Sequence, residues 1–264
     1  VMPFHRWLPA AMVAPTPVSA LLHAVAVVKT GVFMVLKVTL YIFGTDFMLS
    51  SNISEWLIWF AGGTILLASL IAMTKDNLKA RLAYSTVSQL SYIVLGAMLA
   101  NQAGLLGGSL HIVMLAFAKI TLFFAAGASL VTTHKTNIRE MSGLGRSMPL
   151  TFGLFLIASL SLIGMPPLGG MWSKWYLALG TIEAGQWALL AVLLLSSLLN
   201  IAYLLSVPAR AFFGNPGNTA TTTQIKEAPR SCLLAMVLTT LACLILFFYS
   251  TPFTSLALTA VGGP

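Results

Sequence analysis

Three lysines and two histidines carry whatever chemistry this chain performs within its apolar stretches: Lys29, Lys119 and Lys174, with His23 and His111. Lys119 lies near the middle of residues 105–131, LLGGSLHIVMLAFAKITLFFAAGASLV, and His111 precedes it by about two turns. A charged lysine at the centre of a membrane helix costs at least ~2.5–3.5 kcal/mol on insertion scales. A lysine within a turn or two of a helix end escapes that cost by snorkelling to the interface, which is the reading for Lys37. Lys119 has apolar residues for several turns on both sides, so snorkelling fits it poorly. Taking an amine out of water penalises its charged form, which brings proton gain and loss within reach of neutral pH. Histidine titrates there with little perturbation. The residue types therefore suit a proton relay.

Helical geometry limits how these groups meet. At 100° per residue, His23 and Lys29 lie about 120° apart and His111 and Lys119 about 80° apart, so neither pair shares a face. A water or a polar side chain has to bridge each. Asp46, Glu55 and Glu183 all fall near expected helix ends, so a carboxylate partner is expected from outside this sequence.

Other chemistries are weakly represented. The four histidines have no metal-ligand spacing, so no metal and no cofactor is expected. No phosphate loop, dinucleotide fingerprint or nucleophile elbow is present, and no active site of the chain's own. Cys232 and Cys243 fall on one expected helix roughly 16 Å apart, too far for a disulfide. Gly62-Gly63, Gly107-Gly108 and Gly169-Gly170 read as close helix packing or breaks.

The elements that position these residues are membrane spans. Of 264 residues, 58% are hydrophobic and only 8% charged, with mean hydropathy +0.92. No soluble class has that composition; this is an all-α polytopic membrane protein. The net charge of +8 belongs to cytoplasmic loops, and no basic tract with interleaved aromatics suggests nucleic acid. Pro3–Val13 reads as a half-helix. About seven spans follow: Val18–Phe43, Glu55–Met73 with Trp56 and Trp59 as interface anchors, Leu82–Ala100, Leu105–Val131, a broken helix over 149–180, Gln186–Phe213 and Ser231–Ser250, then a short apolar tail. The span at Leu82–Ala100 is polar on one side through Ser85, Ser88, Gln89 and Ser91. The break is the run Met165–Gly170, with Pro166, Pro167, Gly169 and Gly170. Basic loops at 75–81, 134–146 and 210–230 alternate with connections at 44–54, 101–104 and 181–186 that lack Lys and Arg. That is the positive-inside pattern, with the basic loops cytoplasmic. The half-helix plus span at 3–43 and the one at 166–213 look like an inverted pair, whose broken helices meet at a midplane site.

Four ordered motifs add a resemblance: PFHRWLPAAMVAPTPVSALLHAVAVVKTGVF, DNLKARLAYSTVSQLSYIVLG, HIVMLAFAKITLFFAAG and GMPPLGGMWSKW. Together they resemble the proton-conducting antiporter-like subunits: the large membrane subunits of respiratory complex I, the Mrp-type cation/proton antiporters and the membrane arms of related hydrogenases. The PTPVSALLHAVAVVK wording is closest to the Mrp-type and hydrogenase-associated branch. The resemblance implies a fold of fourteen helices with two inverted five-helix repeats, of which this sequence would hold the end of the seventh helix onward. It begins with Val1 and reads as a fragment of a longer chain. Residues 1–15 would then end a broken helix of a truncated repeat, 16–213 form the antiporter-like core, and 214–264 a cytoplasmic loop and final span.

Carried over by motif, His23 and Lys29 correspond to relay positions of the family's eighth helix. Lys119, with His111 beside it, corresponds to the eleventh, and Lys174 to the broken twelfth, which leads protons outward. Leu115 stands where some relatives carry a second histidine, and Trp175 where some carry an acid. The family's earlier lysine–glutamate pair lies outside the sequence, so this part should not transport alone. The implied function is proton translocation across a prokaryotic inner membrane, with or without exchange for Na⁺ or K⁺, among other membrane subunits in the lipid bilayer. Those complexes include NADH:quinone oxidoreductases and hydrogenase-type translocases. Two alternatives are a scaffold subunit that has lost transport, against which three retained lysines argue, and a quinone-binding redox subunit.

Overall fold

The computed structural model describes residues 1–21, 26–215 and 225–261, and the secondary structure among them is helical apart from one isolated β-bridge. Short helices α1 (Trp7–Ala10) and α2 (Thr16–Leu21) lead to α3 (Val27–Lys37), which widens into a π-helical turn over Val38–Phe43. Then come α4 (Thr45–Ser50), α5 (Asn52–Thr74), α6 (Leu78–Leu99), α7 (Gln102–Thr133) and α8 (Leu144–Ser147). The last five are α9 (Pro149–Ile163), α10 (Gly170–Glu183), α11 (Trp187–Phe213), α12 (Arg230–Phe248) and α13 (Thr251–Val261).

Five of these, α5, α6, α7, α11 and α12, are continuous and apolar enough to cross a bilayer. Of the expected span over 18–43, the structure describes 18–21 and 26–43, which hold the end of α2, α3 and the π turn; His23 lies outside the described residues. The expected break is real: α9 and α10 have 15 and 14 residues, each too short for a hydrocarbon core of about 30 Å. The apolar tail forms α13, which the sequence reading left without structure. The tight turn expected at 101–104 is shorter than that. Asn101 caps α7, its Oδ1 accepting from Gly104 N at 2.8 Å, so the helix already begins at Gln102.

Helix α7 is the axis of the bundle, packed against α2, α3, α6, α9, α10, α12 and α13. Helix α6 is the most enclosed span, with 83% of its apolar window buried against 22% for α12. Small residues make the close crossings. A Cβ on Gly107 would stand 2.6 Å from the backbone nitrogen of Leu177 in α10, and one on Gly170 would collide with the Ser161 carbonyl of α9. Gly63 has open space instead, so of the pair at 62–63 only Gly62 faces a close neighbour, Leu189.

The loops sort to two ends. At one, Leu78 N donates to Thr136 O (3.0 Å), Ile138 N to Asp76 O (2.9 Å), Gly143 N to Arg210 O (3.3 Å) and Lys226 N to Ser147 O (2.9 Å). All of the basic connections therefore meet. At the other, Asn101 Nδ2 donates to Gly180 O at 2.6 Å, joining two connections that lack lysine and arginine. The charge alternation in the sequence corresponds to two real ends of the bundle.

Candidate functional site

A polar strip runs along the enclosed face of α6. Ser85, Gln89 and Tyr92 recur at helical spacing on that face, all almost completely buried. Each meets one ionisable group from another helix.

Lys119, fully buried on α7, donates from Nζ to Ser85 Oγ at 2.8 Å and to the Leu82 carbonyl at 3.3 Å. The Tyr203 hydroxyl of α11 lies 3.1 Å from Ser85 Oγ and also meets Asn200 Oδ1 one turn away, its single hydrogen shared between the two. Below this node a serine cluster ties three helices. Ser69 of α5 is 2.9 Å from Ser88 of α6 and 3.2 Å from Ser196 of α11.

One turn further along α6, Gln89 Oε1 lies 3.0 Å from His111 Nε2, and the other ring nitrogen, Nδ1, lies 2.8 Å from Ser173 Oγ of α10. With the Gln89 oxygen as acceptor, Nε2 carries the hydrogen, and Nδ1 is the nitrogen that can gain or lose one. Ser173 Oγ also lies 3.0 Å from the Gly170 carbonyl. Its single hydrogen can point to either partner. With His111 neutral, Ser173 donates to Nδ1. With Nδ1 protonated, Ser173 accepts from it and donates to Gly170. Both states are fully hydrogen-bonded, so a proton can come and go without orphaning a buried group.

Beyond His111 comes Tyr92, stacked on its ring at 5.5 Å between centroids. The Lys174 ammonium sits 5.4 Å from the Tyr92 centroid. Lys174 Nζ donates to Ile163 O at 2.9 Å and to Ser197 Oγ of α11 at 3.1 Å. The Ile163 carbonyl is one of those that the end of α9 leaves unpaired. Gly164 ends that helix with φ +92°, and a Cβ there would come within 3.0 Å of the Lys174 side chain. The break thus creates the polar backbone that holds the lysine.

Lys29 is buried on α3, which packs on α6 and α7. Its Nζ has no hydrogen-bond partner among the described residues. Lys37 is exposed beside Phe33, in line with a snorkelling lysine. The structure thus joins Lys119, His111 and Lys174 along one helix face, and it does not join Lys29 to them by direct hydrogen bonds.

Several members of the strip are absent from the expected set. Ser85 and Gln89 were legible only as a polar side of a span. Ser91, grouped with them, turns away and donates to its own helix at Val87 O, 3.0 Å. Ser173, Ser197, Asn200 and Tyr203 were not singled out. The spacing of Ser196, Asn200 and Tyr203 in an otherwise apolar span is the signal that could have found them.

A bundle of membrane-length helices, with a broken helix among them, thus encloses a file of lysine, histidine and hydroxyl groups in an all-α membrane architecture. Residues 1–200 match the family model described as NADH:quinone oxidoreductase/Mrp antiporter, transmembrane, and the chain belongs to that family. The NADH-quinone oxidoreductase subunit N of Desulforudis audaxviator is 38% identical over 213 residues, covering 80% of this chain and 42% of that protein. Subunit L of Rickettsia bellii is 41% identical over 170 residues, 64% of this chain and 25% of its own length. The chain therefore spans less than half the length of these relatives. Among solved structures, the Mrp complex of a Dietzia species superposes with TM-score 0.89 at 23% identity, over 99% of this chain and 56% of that one. An archaeal membrane-bound sulfane sulfur reductase gives 0.86 at 26% identity, over 100% and 53%.

Proposed function

We propose that this chain moves protons across the membrane as part of an antiporter-like subunit in a multi-subunit complex. The observation that carries the reading is the α6 face that holds Lys119 through Ser85 and His111 through Gln89. Family membership supports it, as does the likeness to subunits of Mrp and respiratory complexes. Other membrane subunits are the expected partners, and exchange for Na⁺ or K⁺ is the antiporter variant of the same function. Residues 16–213 would be the conducting core, with 1–15 completing a preceding broken helix and 214–264 flanking it.

In this reading Lys119 receives a proton from the Lys29 and His23 side and loses it when a neighbouring charge changes. The Ser85 and Tyr203 hydroxyls pass it toward Gln89 and His111. Gln89 holds the ring at Nε2–H, so a water has to carry the proton round to Nδ1 on the α10 side, where His111 gains it as the Ser173 hydroxyl turns to Gly170 and loses it as that hydroxyl turns back. Lys174 accepts it beyond Tyr92 and releases it toward the end of the bundle that holds Asn101 and Gly180. Like charges along the file favour one proton at a time, since each protonated amine makes the next protonation costlier.

The experiment is proton translocation by the intact complex in proteoliposomes with an internal pH-sensitive dye. Lys119→Ala should abolish translocation while the assembled complex is recovered at normal yield, and Lys37→Ala should leave the rate within about twofold of wild type. Wild-type transport by an assembled Lys119→Ala complex would sink the proposal.

A further inference from the structure

Where the basic loops meet, Asp76, Arg81, Arg139, Ser206 and Arg210 line a hollow of about 150 Å³, with Thr74 beside them. Its walls are polar, whereas the larger clefts described on the bundle surface are lined mainly by apolar side chains. Its charge is unbalanced: three guanidinium groups face one carboxylate. That carboxylate is already engaged. Asp76 Oδ1 is 3.8 Å from Arg139 Nε and accepts from Arg139 N at 3.3 Å.

Among the described residues, Arg81 hydrogen-bonds to neutral groups. Its Nε donates to Lys75 O at 2.9 Å, and Nη1 donates to Tyr203 O at 3.1 Å and to Ser206 Oγ at 2.9 Å. Asp76 is near enough to attract the Arg81 charge, and Arg210 is near enough to repel it, more weakly. Arg139 and Arg210 are exposed and Arg81 is buried; like charges gathered at one hollow destabilise one another, and an anion placed among them reverses the sign of that interaction. Guanidinium forks match the oxygens of phosphate in pairs. Arg81 is in the first turn of α6 and Arg210 in the last turn of α11. The hollow therefore lies where the helices leave the apolar layer, at the level of lipid phosphates.

We propose that this hollow binds a phosphate group, presented either by an anionic lipid headgroup or as free phosphate. Arg81 also donates to the carbonyl of Tyr203, a member of the proposed relay, so the test varies Arg139 and Arg210 and does not read transport. The protein is purified from its own membrane in mild detergent as wild type, as Arg139→Gln/Arg210→Gln, as Arg139→Gln alone, as Asp76→Asn, and as Lys135→Gln on the same basic face. Native mass spectrometry then follows retention of phosphatidylglycerol against phosphatidylcholine. Thermal unfolding follows inorganic phosphate against chloride at matched ionic strength.

A lipid source predicts that wild type prefers phosphatidylglycerol. The double variant should lose about tenfold in retained lipid, and Arg139→Gln alone part of that if the double variant fails to fold. Asp76→Asn should retain at least as much as wild type, and Lys135→Gln should match it. A phosphate-specific rise in unfolding temperature, lost in the arginine variants without any lipid preference, assigns the same site to free phosphate. The proposal is overturned if wild type shows neither preference, if the arginine variants respond as wild type does, if Lys135→Gln loses as much as they do, or if Asp76→Asn loses binding.

Discussion

The Lys174 ammonium donates to the Ile163 carbonyl at 2.9 Å, reaching from one half of the broken helix to the end of the other. In the proposed relay the bond joins stability to function, because the same amine that satisfies an orphan carbonyl would be the last ionisable group of the file. Lys174→Ala should lower stability by ~1–3 kcal/mol, the cost of leaving a buried acceptor unpaired, and should also stop translocation. Lys174→Gln keeps an N–H donor but cannot carry a proton. Thermal unfolding of the purified protein should recover most of the loss in Lys174→Gln, while dye-reported translocation stays as low as in Lys174→Ala.

Ser173 is predicted to set the rate of proton exchange at His111. Its hydroxyl is what lets both states of the ring stay hydrogen-bonded, through the 2.8 Å contact to Nδ1 and the 3.0 Å contact to Gly170. Ser173→Ala removes that exchange and should slow translocation by about tenfold or more. Ser91→Ala is the control, since Ser91 bonds only within its own helix turn, at Val87 O; translocation by that variant should match wild type. Equal rates for both variants would remove Ser173 from the path.

Close packing of α7 on α10 fixes the height of His111 relative to Ser173. Gly107→Ala would put a methyl 2.6 Å from the Leu177 backbone nitrogen, which has no side-chain freedom to yield. Overpacking of this kind costs ~1–3 kcal/mol, so the unfolding temperature in detergent should fall clearly. Gly63→Ala meets nothing within 4 Å and, in the interior of α5, should leave the unfolding temperature unchanged or slightly raised.

Much of the bundle was legible because membrane spans are written locally. Hydropathy and length marked α5, α6, α7, α11 and α12, and Pro166, Pro167, Gly169 and Gly170 marked the gap between α9 and α10. The alternation of basic loops anticipated which connections meet, and Lys226, Arg210 and Asp76 do converge at one end. Boundaries were less legible. Hydropathy within 18–43 gives no sign of the π-helical turn over Val38–Phe43, and Thr251–Val261 is a helix too short for hydropathy to distinguish from a tail.

By itself, the sequence determined that several amines must be buried in a membrane domain, since the apolar residues flanking Lys119 are contiguous along the chain and deny it any water-facing position. It also determined that Lys174 follows a helix break. Which groups meet those amines was decided only by tertiary structure. Ser85, Gln89 and Tyr92 belong to α6, Ser173 to α10, Asn200 and Tyr203 to α11, and they reach the α7 lysine and histidine only because small residues let those helices cross closely. The physical reason is that burial in lipid depends on local composition, whereas a hydrogen bond depends on a donor and an acceptor brought within about 3 Å by packing between segments far apart in the chain.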